Sequence, residues 1–104
     1  MTDLEMTKLC AEALKIFLRI DGGNVIACEM EDEYIYRPLI NAADTLELVE
    51  AFDMVIEREK DKSFGITLFT NKRKGGNPTF VVRNQPKLKR AIVECVAKMQ
   101  ASKA

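Results

Sequence analysis

Near the start of the chain, apolar residues recur at three- and four-residue spacing, at Leu4, Cys10, Ala13, Leu14, Phe17 and Leu18. That period marks one buried helical face. Thr2-x-x-Glu5 opens the run as a capping box, in which hydroxyl and carboxylate satisfy free backbone N–H groups. The expected helix stops at Asp21-Gly22-Gly23-Asn24, since glycine tolerates the left-handed conformation of a C-terminal cap. Val25 to Met30 is a short apolar run between turn residues, read as a strand. Glu29, Glu31, Asp32 and Glu33 form an acidic cluster expected in an exposed loop. Tyr34 to Leu39 alternates as an extended segment does, and Pro38 denies it a central place in a sheet.

Helical spacing returns over Ala42 to Asp53, with Leu46, Val49 and Phe52 on one stripe and Asp44-x-x-Glu47 at the positive end of the helix dipole. Three strands are expected next. Met54 to Glu59 leads through Lys60–Ser63 into Phe64 to Thr70, where Phe64, Ile66 and Leu68 alternate with Gly65 and Thr67. After a glycine-rich hairpin loop at Lys72–Asn77, Thr79 to Arg83 supplies a β-branched third strand. The last helix is expected to take Asn84 as its cap and Pro86 in its first turn, where a missing N–H does no harm. Leu88, Ile92, Cys95, Val96 and Met99 share its apolar arc, with Lys87, Arg90 and Lys98 opposite. The order is helix, short extended stretch, helix, three strands, helix. It describes one α+β domain over residues 1–104: an antiparallel three-stranded meander, four-stranded if the extended stretch joins it, layered with three helices.

Size and composition fit this picture. A chain of 104 residues is one domain near the commonest size. No apolar run approaches the roughly 18 residues of a membrane span, and the acidic first helix does not resemble a signal peptide. A cytoplasmic location with no membrane association is expected. Cys10, Cys28 and Cys95 are odd in number and far apart; the first and last fall on helix stripes, as reduced core thiols do.

The zero net charge hides a segregation. Residues 1–59 carry fourteen acidic against five basic residues, a balance of −9, and residues 60–104 carry eleven basic against Asp61 and Glu94, a balance of +9. Such asymmetry points to an anionic partner or a charged interface.

Few reactions are compatible with these residues. Histidine is absent, which removes Cys–His and Ser–His nucleophiles and most zinc sites. The acidic run Glu29–Glu33 lacks the glycine and spacing of a calcium loop. No catalytic residue, metal ligand or cofactor is expected, and the chain reads as a non-enzyme. Two basic groups are candidate anion or nucleic-acid sites. Lys72, Arg73 and Lys74 stand beside two glycines that allow close backbone approach to an anion. Lys87, Lys89 and Arg90 open the last helix, where backbone N–H groups already favour anions; alternatively, they pair with the acidic half inside the fold.

Three local features are similar to the phage ABA-sandwich domain family. They are the run Tyr34 to Pro38 before a helix reading Thr45-Leu46-Glu47-Leu48-Val49-Glu50, the strand Thr79-Phe80-Val81-Val82, and the helix Leu88-Lys89-Arg90-Ala91-Ile92-Val93-Glu94. The resemblance covers Tyr34 to Met99 and implies a small phage-encoded accessory protein with no assigned reaction, in an infected bacterial cytoplasm. Such a protein is expected to act by binding a host, defence or phage protein. From Ala42 onward the order also resembles a double-stranded-RNA-binding domain, which implies phosphate contacts at Lys87, Lys89 and Arg90. A third expectation is a homo-oligomer formed through the complementary charged faces.

Overall fold

The computed structural model describes residues 1–69 and 79–103. Its elements are α1 (Asp3–Ala13), β1 (Phe17–Asp21), β2 (Asn24–Glu29), β3 (Asp32–Tyr36), α2 (Ala42–Ala51), β4 (Asp53–Arg58), β5 (Phe64–Phe69), β6 (Thr79–Gln85) and α3 (Leu88–Ala101). The fold is α+β. The strands form two separate antiparallel meanders, β1-β2-β3 and β4-β5-β6, so the described residues contain six strands rather than the expected three or four.

The first sheet is the main departure from the sequence expectation. The opening helix does not run to Gly22; it closes after Ala13. Lys15 adopts φ 60°, the Ile16 N–H donates to the Ala11 carbonyl and the Lys15 N–H donates to the Glu12 carbonyl, both at 3.0 Å. This is a Schellman cap with lysine where glycine is usual. Gly22 and Gly23, at φ 56° and 85°, instead form the two-residue turn of a β1–β2 hairpin that pairs Asp21 with Asn24. Met30, at φ 51°, turns the next hairpin, so Glu29 ends β2 while Asp32 and Glu33 begin β3. These acids are exposed, as expected, but they lie mostly on strand ends. Pro38 follows β3, which is an edge strand.

The second sheet matches the expected three-stranded meander. It carries one bulge, where the β5–β6 register shifts between Phe64 and Ile66 and Asn84 takes φ 59°. The bulge carries β6 on to Gln85. Asn84 is thus a strand residue and not a cap; Lys87 holds the N-cap position of α3, without a side-chain cap bond, and Pro86 precedes the helix.

α3 is the centre of the molecule. It packs on α1, α2, β5 and β6, and Ala91, Ile92, Val93, Cys95, Val96, Ala97 and Met99 are all buried. Its apolar face is therefore wider than the expected stripe, because cover comes from more than one side. α1 in turn carries the first sheet through β1 and β2. The core thiols lie on these contacts: Cys10 Sγ is 3.5 Å from the Val93 carbonyl oxygen and Cys95 Sγ is 3.2 Å from that of Phe80. Burial pushes the thiol pKa values up to about 12 and about 11, so both remain protonated at neutral pH. Cys28 is half-buried, with its sulfur 3.8 Å from Glu33 Oε2.

Tyr36 is buried, yet its hydroxyl has no hydrogen-bond partner among the described residues. Removing an unpaired buried hydroxyl while keeping the ring relieves a desolvation cost. Tyr36→Phe is expected to raise stability by about 1 kcal/mol, read as a higher urea midpoint; a lower midpoint would show that the hydroxyl is satisfied.

Candidate functional site

An open concavity lies between α2, the start of α3 and β4. Its volume is about 510 Å³, and its lining includes Thr45, Leu46 and Val49 of α2, Ile56 of β4, and Leu88 and Ile92 of α3. That size lies within the range of small-ligand and side-chain pockets, about 300–1,000 Å³. Ile92 is buried in its floor, while Leu46, Ile56 and Leu88 are 54, 40 and 36 % exposed around it. Lys87 and Lys89 are its cationic lining.

Short polar contacts fix the α2 wall. Asn41 Oδ1 accepts from the N–H groups of Ala43 and Asp44 at 2.9 and 3.3 Å, capping the helix. The Asp44 carboxylate accepts from the Arg37 N–H at 2.8 Å. The Thr45 hydroxyl contacts the carbonyl oxygens of Pro38 and Asn41 at 2.5 and 3.0 Å. These bonds satisfy two buried polar side chains and tie α2 to the segment after β3. Leu48 then faces the core with no exposure, which leaves Leu46, two positions earlier, on the open side. The expected stripe of Leu46, Val49 and Phe52 is thus divided: Val49 and Phe52 are partly buried and Leu46 is not.

The opposite wall separates the three cations at the start of α3. Arg90 turns away from the cleft; its Nη1 donates to Asp3 Oδ1 and its Nε to Glu94 Oε1, both at 3.0 Å. Glu94 also accepts from Gln85 Nε2 at 2.9 Å. Arg90 is therefore the intramolecular pairing, joining the basic half to α1. Arg83 does the same with Glu59 at 3.1 Å, so part of the charge segregation is neutralised within the fold. Lys87 and Lys89 make no ion pair among the described residues. Lys72, Arg73 and Lys74 lie outside the described residues.

Acidic groups gather along another side of α2. Glu29 accepts from the Tyr34 hydroxyl at 3.2 Å, and Glu47 lies near Asp44, Glu29 and Glu50. Partial burial, and then these like charges, raise the Glu47 pKa above the usual carboxylate range. Burial and Glu29 raise the Tyr34 pKa to about 12. Among the described residues, no three or more Cys, Asp or Glu side chains are arranged to hold a metal ion, and no helix is long and apolar enough to cross a membrane.

Sequence reasoning did not single out the cleft. Its one advance signal was Leu46 together with Leu48, two large apolar residues that cannot both face one core from one helix. No family model matches the chain, and no curated protein matches it. Fold and site together define a small α+β domain with an open apolar cleft bordered by two lysines that make no ion pair among the described residues.

Proposed function

We propose that the protein acts by binding, as a small phage-encoded accessory protein whose contact surface is the cleft between α2 and α3. One observation carries the binding role: Leu46, Ile56 and Leu88 stay substantially exposed around an apolar hollow, and Lys87 and Lys89 beside it have no ionic partner among the described residues. Exposed apolar groups framed by polar residues mark contact sites more often than scattered surface leucines do. The phage origin, and a partner drawn from host, defence or phage proteins, follow from the sequence resemblance over Tyr34 to Met99. No catalytic group is assigned in this reading.

An apolar anionic fluorophore such as anilinonaphthalene sulfonate, which reports accessible apolar surface, tests the cleft directly. Saturable uptake by the folded protein is expected, abolished by Leu46→Glu and kept by Val81→Glu on the outer face of the second sheet. Uptake that Leu46→Glu leaves unchanged, or no uptake by protein dilute enough to be monomeric, removes the cleft as the contact surface.

A nucleic-acid role retains one specific support, Lys87 and Lys89 at the start of α3, which make no ion pair among the described residues. Retention of duplex RNA in a gel shift, weakening steeply with salt and on Lys87→Ala, would favour that role over protein contact.

A further inference from the structure

We infer that the occupant of the cleft is a second copy of this chain, with α2 of each protomer seating Leu46 in its partner's cleft and its carboxylates facing the partner's lysines. This rests on the reading of the cleft as a contact surface and names what fills it.

The cleft defines the chemistry of its occupant: an apolar knob flanked by negative charge, to fit a hollow lined by Val49, Ile56, Leu88 and Ile92 beside the ammonium groups of Lys87 and Lys89. The chain carries that element itself. Ala43, Leu46, Glu47 and Glu50 recur at three- and four-residue spacing on α2, and all four are exposed, so they form one solvent-facing stripe. Glu47 and Glu50 make no ion pair among the described residues. Leu46 stands on the wall of its own hollow, so knob and hole share one surface, the arrangement a two-fold contact requires, since each patch must be complementary to itself.

Local electrostatics on both walls favour the exchange. α3 starts with cations, has no acidic residue in its first turn and has no side-chain cap, an unfavourable combination at the positive end of a helix dipole. Partial burial, and then the like charges around it, hold the Glu47 carboxyl above the usual range. Bringing carboxylates of one copy to lysines of the other relieves both. An interface of ordinary size takes about 800 Å² from each partner, more than the hollow alone can give. The contact therefore extends along α2 toward Ile40, which is 73 % exposed just before the helix.

Static light scattering over a protein concentration series tests this. The wild type is expected to reach twice the chain mass of 11.8 kDa. Leu46→Glu should remain monomeric at every concentration with unchanged circular dichroism. The double variants Glu47→Lys/Glu50→Lys and Lys87→Glu/Lys89→Glu should each weaken self-association by about tenfold or more, and mixing them should restore a dimer, because reversing both sides of a charge pairing recovers complementarity. A wild type that stays monomeric yet takes up the fluorophore overturns the second copy and leaves the cleft standing. A monomer with no uptake overturns both. A dimer indifferent to Leu46→Glu and to both charge reversals places the interface elsewhere and also overturns the inference.

Discussion

Leu48→Ala is expected to lower stability by about 3 kcal/mol, within the range of about 2–5 kcal/mol for a buried leucine truncated to alanine. Leu48 is fully buried and belongs to the continuous core shared by α1, the first sheet, α3 and the second sheet. The loss combines the transfer free energy of the removed methyl groups with a cavity that its neighbours only partly fill. Leu46→Ala, on the same helix but 54 % exposed in the single chain, should change stability by less than about 0.5 kcal/mol at protein concentrations that keep the chain monomeric, as open surface substitutions usually do. Urea unfolding with an unchanged denaturant slope separates the two. Equal losses would show that α2 does not sit as described. Because Leu48 seats α2, its truncation should also weaken fluorophore uptake by the cleft although it does not line it.

Ala97→Leu is expected to lower stability by about 2 kcal/mol, because extra methylenes in a filled core force displaced side chains and backbone. α1 and α3 pack closely, and Ala11 and Ala97 are both fully buried. Val93, whose carbonyl oxygen lies 3.5 Å from the Cys10 sulfur, is one helical turn before Ala97 and shares its face. Arg90, bonded to Asp3 of α1, is one turn earlier again. A leucine at 97 drives the two helices apart along this line. Lys98→Leu, one position on and exposed, adds the same bulk without the clash and should leave the midpoint nearly unchanged. A tolerant position 97 would mean that the α1–α3 contact is loose.

Several elements were legible because their periods conflict with no alternative. The alternation of Phe64, Ile66 and Leu68, the β-branched run from Thr79 and the apolar arc of α3 can each be placed in only one kind of element. The stretch from Ala13 to Asn24 could be placed in two. Leu14, Phe17 and Leu18 continue a helical stripe, whereas Leu18 and Ile20 alternate as a strand does, and Gly22-Gly23 suits either a helix end or a hairpin turn. A lysine in the left-handed conformation at position 15 decides between them, and no residue-type preference announces it. For the same reason helical spacing places Phe17 on a core stripe, whereas on β1 it is 83 % exposed.

The basic start of α3 shows the same division at the candidate site. Three cations in four residues looked like one group, yet Arg90 reaches back to Asp3 and Glu94 while Lys87 and Lys89 remain at the cleft. Separation of 87 positions along the chain puts that distinction beyond any local pattern.

The sequence by itself determined the class of the fold, the second sheet and the buried thiols, because these follow from residue type and short-range period. Only the tertiary structure decided where the first helix stops, which lysines lack partners and that Leu46 faces outward. Each of those depends on what another part of the chain brings alongside, and packing between distant segments is selected by shape and charge that no short window contains.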